Sequence, residues 1–247
     1  MANSSSSVSW LGQSLVDIVT ADVRTAAVFD RVGLDYCCHG HHTLEEAAAE
    51  RGLPIPDLLA DLEALGPLSP QDQAAAVWTD LDALTRHIVS RHHHYVREIT
   101  PVFHGWFDKL AARHGARHPE LTEVQATFKR LAEDLATHMV KEENILFPFI
   151  DALAAANRAG GRLPSGPFGT ILNPIRMMEE DHRQAGDDLA HLRTLTNGYL
   201  PPPDACTTYR LCYEELARFE SDLHRHVHLE NNVLFPRALE IERGLGG

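Results

Sequence analysis

The sequence predicts an all-α protein: an up-down-up-down four-helix bundle over residues 73–247 behind a small N-terminal helical domain over residues 1–66. Three observations predict it. Four long helical stretches, near 73–114, 119–157, 170–197 and 204–243, are separated by Gly- and Pro-bearing breaks at His114–Pro119, Gly160–Pro167 and Asn197–Pro203. No alternating apolar pattern of useful strand length is present. The third is a repeat, in which His138-Met-Val-Lys-Glu142-Glu-Asn-Ile-Leu-Phe-Pro148 returns as His226-Val-His-Leu-Glu230-Asn-Asn-Val-Leu-Phe-Pro236. Duplicated helix pairs with short connections build a bundle whose interior can hold a metal site.

The elements follow in order. Thr20 or Asp22 caps a segment ending at Gly33, and Thr43 with Glu46 forms a capping box before a helix closed by Gly52. A third short helix follows Pro56, and Gly66-Pro-Leu-Ser-Pro-Gln71 breaks the pattern, which makes residues 67–72 a linker about which the two domains move. Pro148 and Pro236 each stand six residues past a repeated Glu, where a missing N–H kinks or ends the helix.

A formal net charge of −13 and a pI near 5.6 argue against nucleic acid and anionic membranes as partners, because both repel an acidic protein at long range. The N-terminus has no basic region followed by an apolar run, and no segment approaches 18 consecutive apolar residues, so the expected location is the cytoplasm. Four cysteines, Cys37, Cys38, Cys206 and Cys212, are too few and too oddly placed for a disulfide framework. Cys206 and Cys212 read as core or neutral positions. Sixteen histidines are the anomaly of the composition and raise the prior for metal.

On a helix, His138 with Glu142 and His226 with Glu230 stack on one face, about 6 Å apart along the axis. Asp134 and Asp222 stand one turn earlier, where each can accept the second ring N–H of a ligating imidazole. A lone His from the preceding helix completes each half. His93 lies 45 residues before His138 and His182 lies 44 before His226, and helices joined by a short loop bring such residues to one level. His92 and His94 remain rivals of His93. Four His and two Glu suit iron, manganese or zinc, with the carboxylates bridging two ions and a coordination position left open. A solvated helix face has no reason to repeat ligand spacing, which sets this reading above that of two ordinary surface His/Glu pairs. His87, His104, His114, His118, His191, His224 and His228 are assigned to the surface or to support of the site. Glu143 is a polar neighbour rather than a ligand, since the second copy has Asn231 there.

These motifs, with the N-terminal stretch Leu34-Asp-Tyr-Cys-Cys-His-Gly40, resemble the iron–sulfur cluster repair di-iron proteins, the hemerythrin-like Repair of Iron Centres family, over nearly the whole chain. The resemblance implies a hemerythrin-like bundle with His93, His138, His182 and His226 as terminal ligands, Glu142 and Glu230 as bridging carboxylates, and two non-haem iron ions joined by an oxo or hydroxo bridge. It implies repair of clusters damaged by nitrosative or oxidative stress, by iron donation or redox chemistry, with damaged iron–sulfur proteins, nitric oxide and oxygen as partners. The other readings are a hemerythrin-type carrier or sensor of oxygen or nitric oxide, and an enzyme that reduces nitric oxide. Oxygen-carrying hemerythrins use five His, so four favour redox reactivity. Where the family reads Cys-Cys-Gly-Gly, this chain has Cys37-Cys38-His39-Gly40 with His41 and His42, losing an easy positive-φ position and gaining imidazoles that can hold metal. Cys37 and Cys38 are the expected catalytic thiols, passing electrons or iron or pairing with a second chain in a homodimer; a disulfide between adjacent cysteines would be strained.

Overall fold

The structure, a computed structural model, describes residues 10–68, Trp78 and residues 80–246. Residues 69–72 of the expected linker and 73–77 of the expected first bundle helix lie outside the described residues. Contacts divide the chain into Met1–Thr79 with His224–Val233, and Asp80–Leu223 with Leu234–Gly247. The described residues form no strand, only an isolated bridge between Ser14 and Thr43. None of their helices is long and apolar enough to cross a membrane.

Among the described residues of the first unit, the N-terminal segment folds into the short helices α1 (Leu15–Ala21), α2 (Thr25–Val32), α3 (Leu44–Glu50) and α4 (Ile55–Glu63). Ser14 caps α1 by accepting from the Asp17 N–H, and the capping box of Thr43 and Glu46 opens α3. Gly33 ends α2 in the left-handed region, φ 73°. Thr20 lies inside α1, so it does not cap α2; Asp22 instead receives the Arg24 N–H and guanidinium, and Arg24 reaches on to the carbonyls of Leu65 and Gly66. Ile18, Phe29, Leu34, Tyr36, Leu44 and Ala48 form the core.

The loop between α2 and α3 carries the two adjacent cysteines, and its shape depends on Gly40. A Cβ there would meet the Tyr36 carbonyl oxygen at 2.3 Å, and the Gly40 carbonyl accepts from the Val16 N–H. The glycine is needed for close approach. His39 is not among the positive-φ residues, so the histidine that replaces the family's first glycine carries no such backbone strain.

The long helices of the second unit are α5 (Leu81–His87) continued by α6 (His94–His114), α7 (Glu120–Lys141) continued by α8 (Phe147–Ala159), α9 (Leu172–Leu195), and α10 (Thr207–Leu229, of which residues 224–229 belong to the first unit) continued by α11 (Phe235–Gly246). Each continuation runs through a π-helical turn, Ile88–His93, Glu142–Leu146 and Glu230–Leu234, the last lying largely in the other unit. Buried side chains recur at alternating intervals of three and four. In α7 they are Leu121, Val124, Phe128, Leu131, Leu135 and then His138, with Glu142 next; in α9 they are Ile175, Met178, His182, Ala185, Leu189 and Leu192. The polar residues occupy positions where the stripe otherwise demands an apolar side chain.

The π turns explain the two prolines. Phe147 donates its N–H back to the Glu142 carbonyl, five residues earlier, and Pro148 falls in the first turn of α8, where an absent N–H costs nothing further. The chain therefore continues past Pro148 instead of stopping. At the far end of the unit an aromatic cluster of Phe103, Phe107, Phe128 and Phe219 closes the core, with Phe103 and Phe128 ring centres 4.5 Å apart.

Candidate metal centre and dicysteine loop

Within the second unit, three of the long helices, taken with their continuations, deliver donors to one level. His93 Nε2 and His138 Nε2 each lie 3.3 Å from Glu142 Oε2, and His182 Nε2 lies 3.1 Å from His138 Nε2. All four residues are buried, with His93 and Glu142 fully so. The π turn at Ile88–His93 buries two successive imidazoles, His92 and His93, while His94 faces solvent. Of the three neighbours it is His93 that meets Glu142. His92 turns instead to Asp222, 3.0 Å away.

The segment His224–Val233 holds the second copy of the motif. His226 Nε2 lies 2.9 Å from Glu230 Oε1, and both side chains are buried. Two donors bonded to one ion at about 2.1 Å stand about 3.0–3.4 Å apart, depending on coordination angle. The separations here, 2.9 to 3.3 Å, fall in or just below that range, with nitrogen and carboxylate donors suited to iron, manganese or zinc. The His and Glu clusters fit a metal site.

The outer nitrogens of His93 and His138 are held by carboxylates, though not by the two that spacing suggested. His138 Nδ1 pairs with Asp181 Oδ2 at 3.1 Å and His93 Nδ1 with Glu143 Oε1 at 2.6 Å. Asp134 faces solvent, and Asp222 serves His92. The reason is directional: when Nε2 points into the bundle, Nδ1 points toward the adjacent helix, and an Asp one turn back on the same helix is out of its line. Asp181 and Glu143 both flank a buried donor in sequence, the signal that could have found them. His138 and then Lys141 hold the Asp181 carboxylate down at about 2. Glu143→Ala is expected to lower metal affinity 10- to 100-fold, read by chelator competition, with Glu143→Gln closer to the parent because an amide oxygen still accepts from His93.

Phe147 stacks on His93 and Phe235 on His182, at interplanar angles of 18° and 2°, which keeps water from those rings. A cavity of about 250 Å³ between α7 and α9 reaches His138 and His182 past Asp134, Lys141, Asp181 and Asp188. Several histidines assigned to the surface or to support are neither plainly exposed nor idle. His114 is buried beside Tyr209, His118 pairs with Glu120 and Asp204, and His224 with Asp30. Cys212 is buried and its thiol is pushed up to about 12 by burial, as suits a core residue.

In the first unit the dicysteine loop rests on the helical segment that carries His226 and Glu230. Asn232 donates to the Cys37 carbonyl at 3.2 Å and to His228 Nδ1 at 3.2 Å, and Tyr36 packs edge-on against His224 and His228. The first copy of the motif differs here: Asn144 bonds back to the Val140 carbonyl of its own helix. In the second copy positions 228 and 232 thus hold the loop. Asp35 organises it, accepting from the N–H groups of Cys37 and Cys38 at 3.0 and 2.9 Å and pairing with His39 at 2.7 Å. Burial alone would raise the Asp35 carboxylate, but the Cys38 N–H, His39 and Cys37 outweigh it and hold it at about 2. The hydrogen bond to Cys38, burial and the Asp35 charge push the Cys37 thiol well up, so Cys37 is held as a thiol rather than as a low-pKa nucleophile. His41 and His42 are exposed, and His42 pairs with Glu50.

Burial also pulls His228 from the ordinary 6.5 down to about 4. The unfolded chain then takes up a proton below pH 6.5 that the folded one refuses until about pH 4. The contribution is intact above 6.5 and falls away between 6.5 and 4, by up to about 3 kcal/mol. Unfolding midpoints measured across that window are expected to drop more steeply in the parent than in His228→Asn.

The comparisons with known proteins agree with this picture. Residues 84–238 match the Hemerythrin HHE cation binding domain, and residues 11–66 match a domain of unknown function, DUF542. The iron-sulfur cluster repair protein YtfE of Musicola paradisiaca is 37% identical over 233 residues, covering 93% of this chain and 97% of that protein. The protein of the same name from Pectobacterium atrosepticum is 37% identical over 240 residues, covering 93% and 98%. That of Escherichia coli O1:K1 is 34% identical over 229, covering 92% and 96%. With the bundle, the buried His and Glu donors and the N-terminal helical module all in place, the chain belongs to the hemerythrin-like iron–sulfur cluster repair family.

Proposed function

We propose that this protein holds two non-haem iron ions on His93, His138, Glu142, His182, His226 and Glu230, and uses them in the cytoplasm to restore iron–sulfur clusters damaged by nitrosative or oxidative stress. The observation that carries the reading is the repeated His-x3-Glu, buried in both copies with donor atoms at the spacing of ligands on one ion. When bound, the iron pair supplies one-electron chemistry and a store of iron for transfer.

The chain's own residues set the terms of that chemistry. Glu143 and Asp181 hold the Nδ1 protons of His93 and His138, which fixes the tautomer that presents Nε2 inward. Phe147 and Phe235 exclude water, and the cavity beside His138 and His182 leaves a route for small solutes such as nitric oxide or oxygen. Cys37 and Cys38 serve as the thiols through which iron or electrons pass to a damaged protein. The test is reactivation of a nitric oxide-damaged [4Fe–4S] enzyme under anaerobic conditions. The iron-loaded protein is expected to restore activity, and the Cys37→Ser/Cys38→Ser double variant to keep its bundle iron but lose repair. Failure of the iron-loaded parent to reactivate the damaged enzyme would overturn the reading, and normal repair by the double variant would remove the cysteines from the chemistry.

A further inference from the structure

We propose that Cys37, Cys38 and Asp35 form a separate mononuclear site for a thiolate-seeking divalent transition-metal ion. Their donor atoms lie within 4.8 Å of one another on a single loop. The two sulfurs are 3.7 Å apart. Thiolates sharing a tetrahedral ion at metal–sulfur bonds of about 2.3 Å stand about 3.8 Å apart, whereas a disulfide requires about 2.0 Å. The pair is thus already at ligand spacing and far from bond spacing. Asp35 Oδ1, 3.2 Å from Cys37 Sγ, supplies a charged third donor.

The surroundings suit an ion in transit. Cys37 is buried and Cys38 half-buried, so one sulfur is sheltered while the other faces the approach. His39 pairs with Asp35 Oδ2 and steadies the carboxylate, as imidazole–carboxylate pairs do around metals. Asn232 fixes the loop through the Cys37 carbonyl rather than through a sulfur. Binding replaces two S–H protons by one divalent ion, with no change of oxidation state: the protons go to solvent and both sulfurs become thiolates. The site does not depend on the bundle carrying iron.

The test is anaerobic titration of the reduced, full-length protein with Co(II), read by the near-ultraviolet thiolate-to-cobalt charge-transfer absorption that imidazole and carboxylate ligands do not produce. The expected result is a band that saturates at one equivalent per chain, releases two protons per ion, and vanishes in Cys37→Ser/Cys38→Ser. Asp35→Asn keeps an oxygen for the two backbone N–H groups and is expected to weaken binding by about tenfold or more. A band retained in the double variant, which still has Cys206 and Cys212, or no band from protein whose thiols are shown to be free, would overturn the proposal. Iron content of the bundle, measured on the same samples, reports on the di-iron reading separately.

Discussion

Glu142→Ala is expected to strip the bundle of stoichiometric iron. The carboxylate is fully buried, with the Nε2 atoms of His93 and His138 each 3.3 Å from the same oxygen. Removing it takes away the carboxylate oxygen that the two imidazoles share. Carboxylates and imidazoles that only orient ligands already cost 10- to 100-fold in metal affinity when lost, so loss of a shared ligand is expected to exceed about 100-fold. Iron per chain after reconstitution, by mass spectrometry, checks it. A metal held at about a thousand times its dissociation constant stabilises by about 4 kcal/mol, so the rise in unfolding midpoint on adding iron should vanish in the variant. The metal-free variant should fold, because deleting a buried carboxylate also deletes its desolvation cost.

Phe103→Ala is expected to lower the stability of the bundle by about 3–5 kcal/mol, the range for truncating a buried aromatic. Phe103 is fully buried at the centre of the cluster, with Phe128 at 4.5 Å and Phe107 and Phe219 at 5.9 Å between ring centres, so the space it leaves has large rigid walls. Denaturant unfolding of the parent and variant measures it directly. The cluster lies along the same helix as one of the donors: Phe128 and His138 share α7 and its buried face. Weaker metal retention on heating is therefore expected to accompany the loss.

How much of this was legible before any coordinates can be judged from particular residues. The breaks at His114–Pro119, Gly160–Pro167 and Asn197–Pro203 delimit the long helices because Gly and Pro act locally, and the capping box at Thr43 is likewise a local bond. The His-x3-Glu repeat is visible because helical periodicity alone puts its members on one face. The π turns were not legible: an inserted residue in a helix is stabilised by the packing around it, and nothing in Ile88–His93 or Glu142–Leu146 announces the wider turn. The carboxylates that hold the imidazoles were misplaced for a related reason. Asp134 was close along its own helix, whereas Asp181 and Glu143 reach His138 and His93 across helices, which only the packed bundle reveals. The loop's glycine requirement was attached to the lost family glycine at His39, when it is Gly40 that cannot carry a Cβ.

The adaptation of the second motif copy is the least expected feature. Where the first copy uses Glu143 to hold His93 and Asn144 to bond its own helix, the second uses Asn231 and Asn232 to hold the Cys37 carbonyl. The two copies thus share the buried His and Glu, and differ at the adjacent positions, where one of them holds the loop bearing two thiols.

The central claim, a six-residue di-iron centre in the bundle, is tested most directly by the iron content of the reconstituted protein together with its Mössbauer spectrum. Two irons per chain, bound as a magnetically coupled pair and lost in Glu142→Ala, are the predicted result. A single ion, a preference for one zinc, or the absence of stoichiometric iron after reconstitution would contradict it.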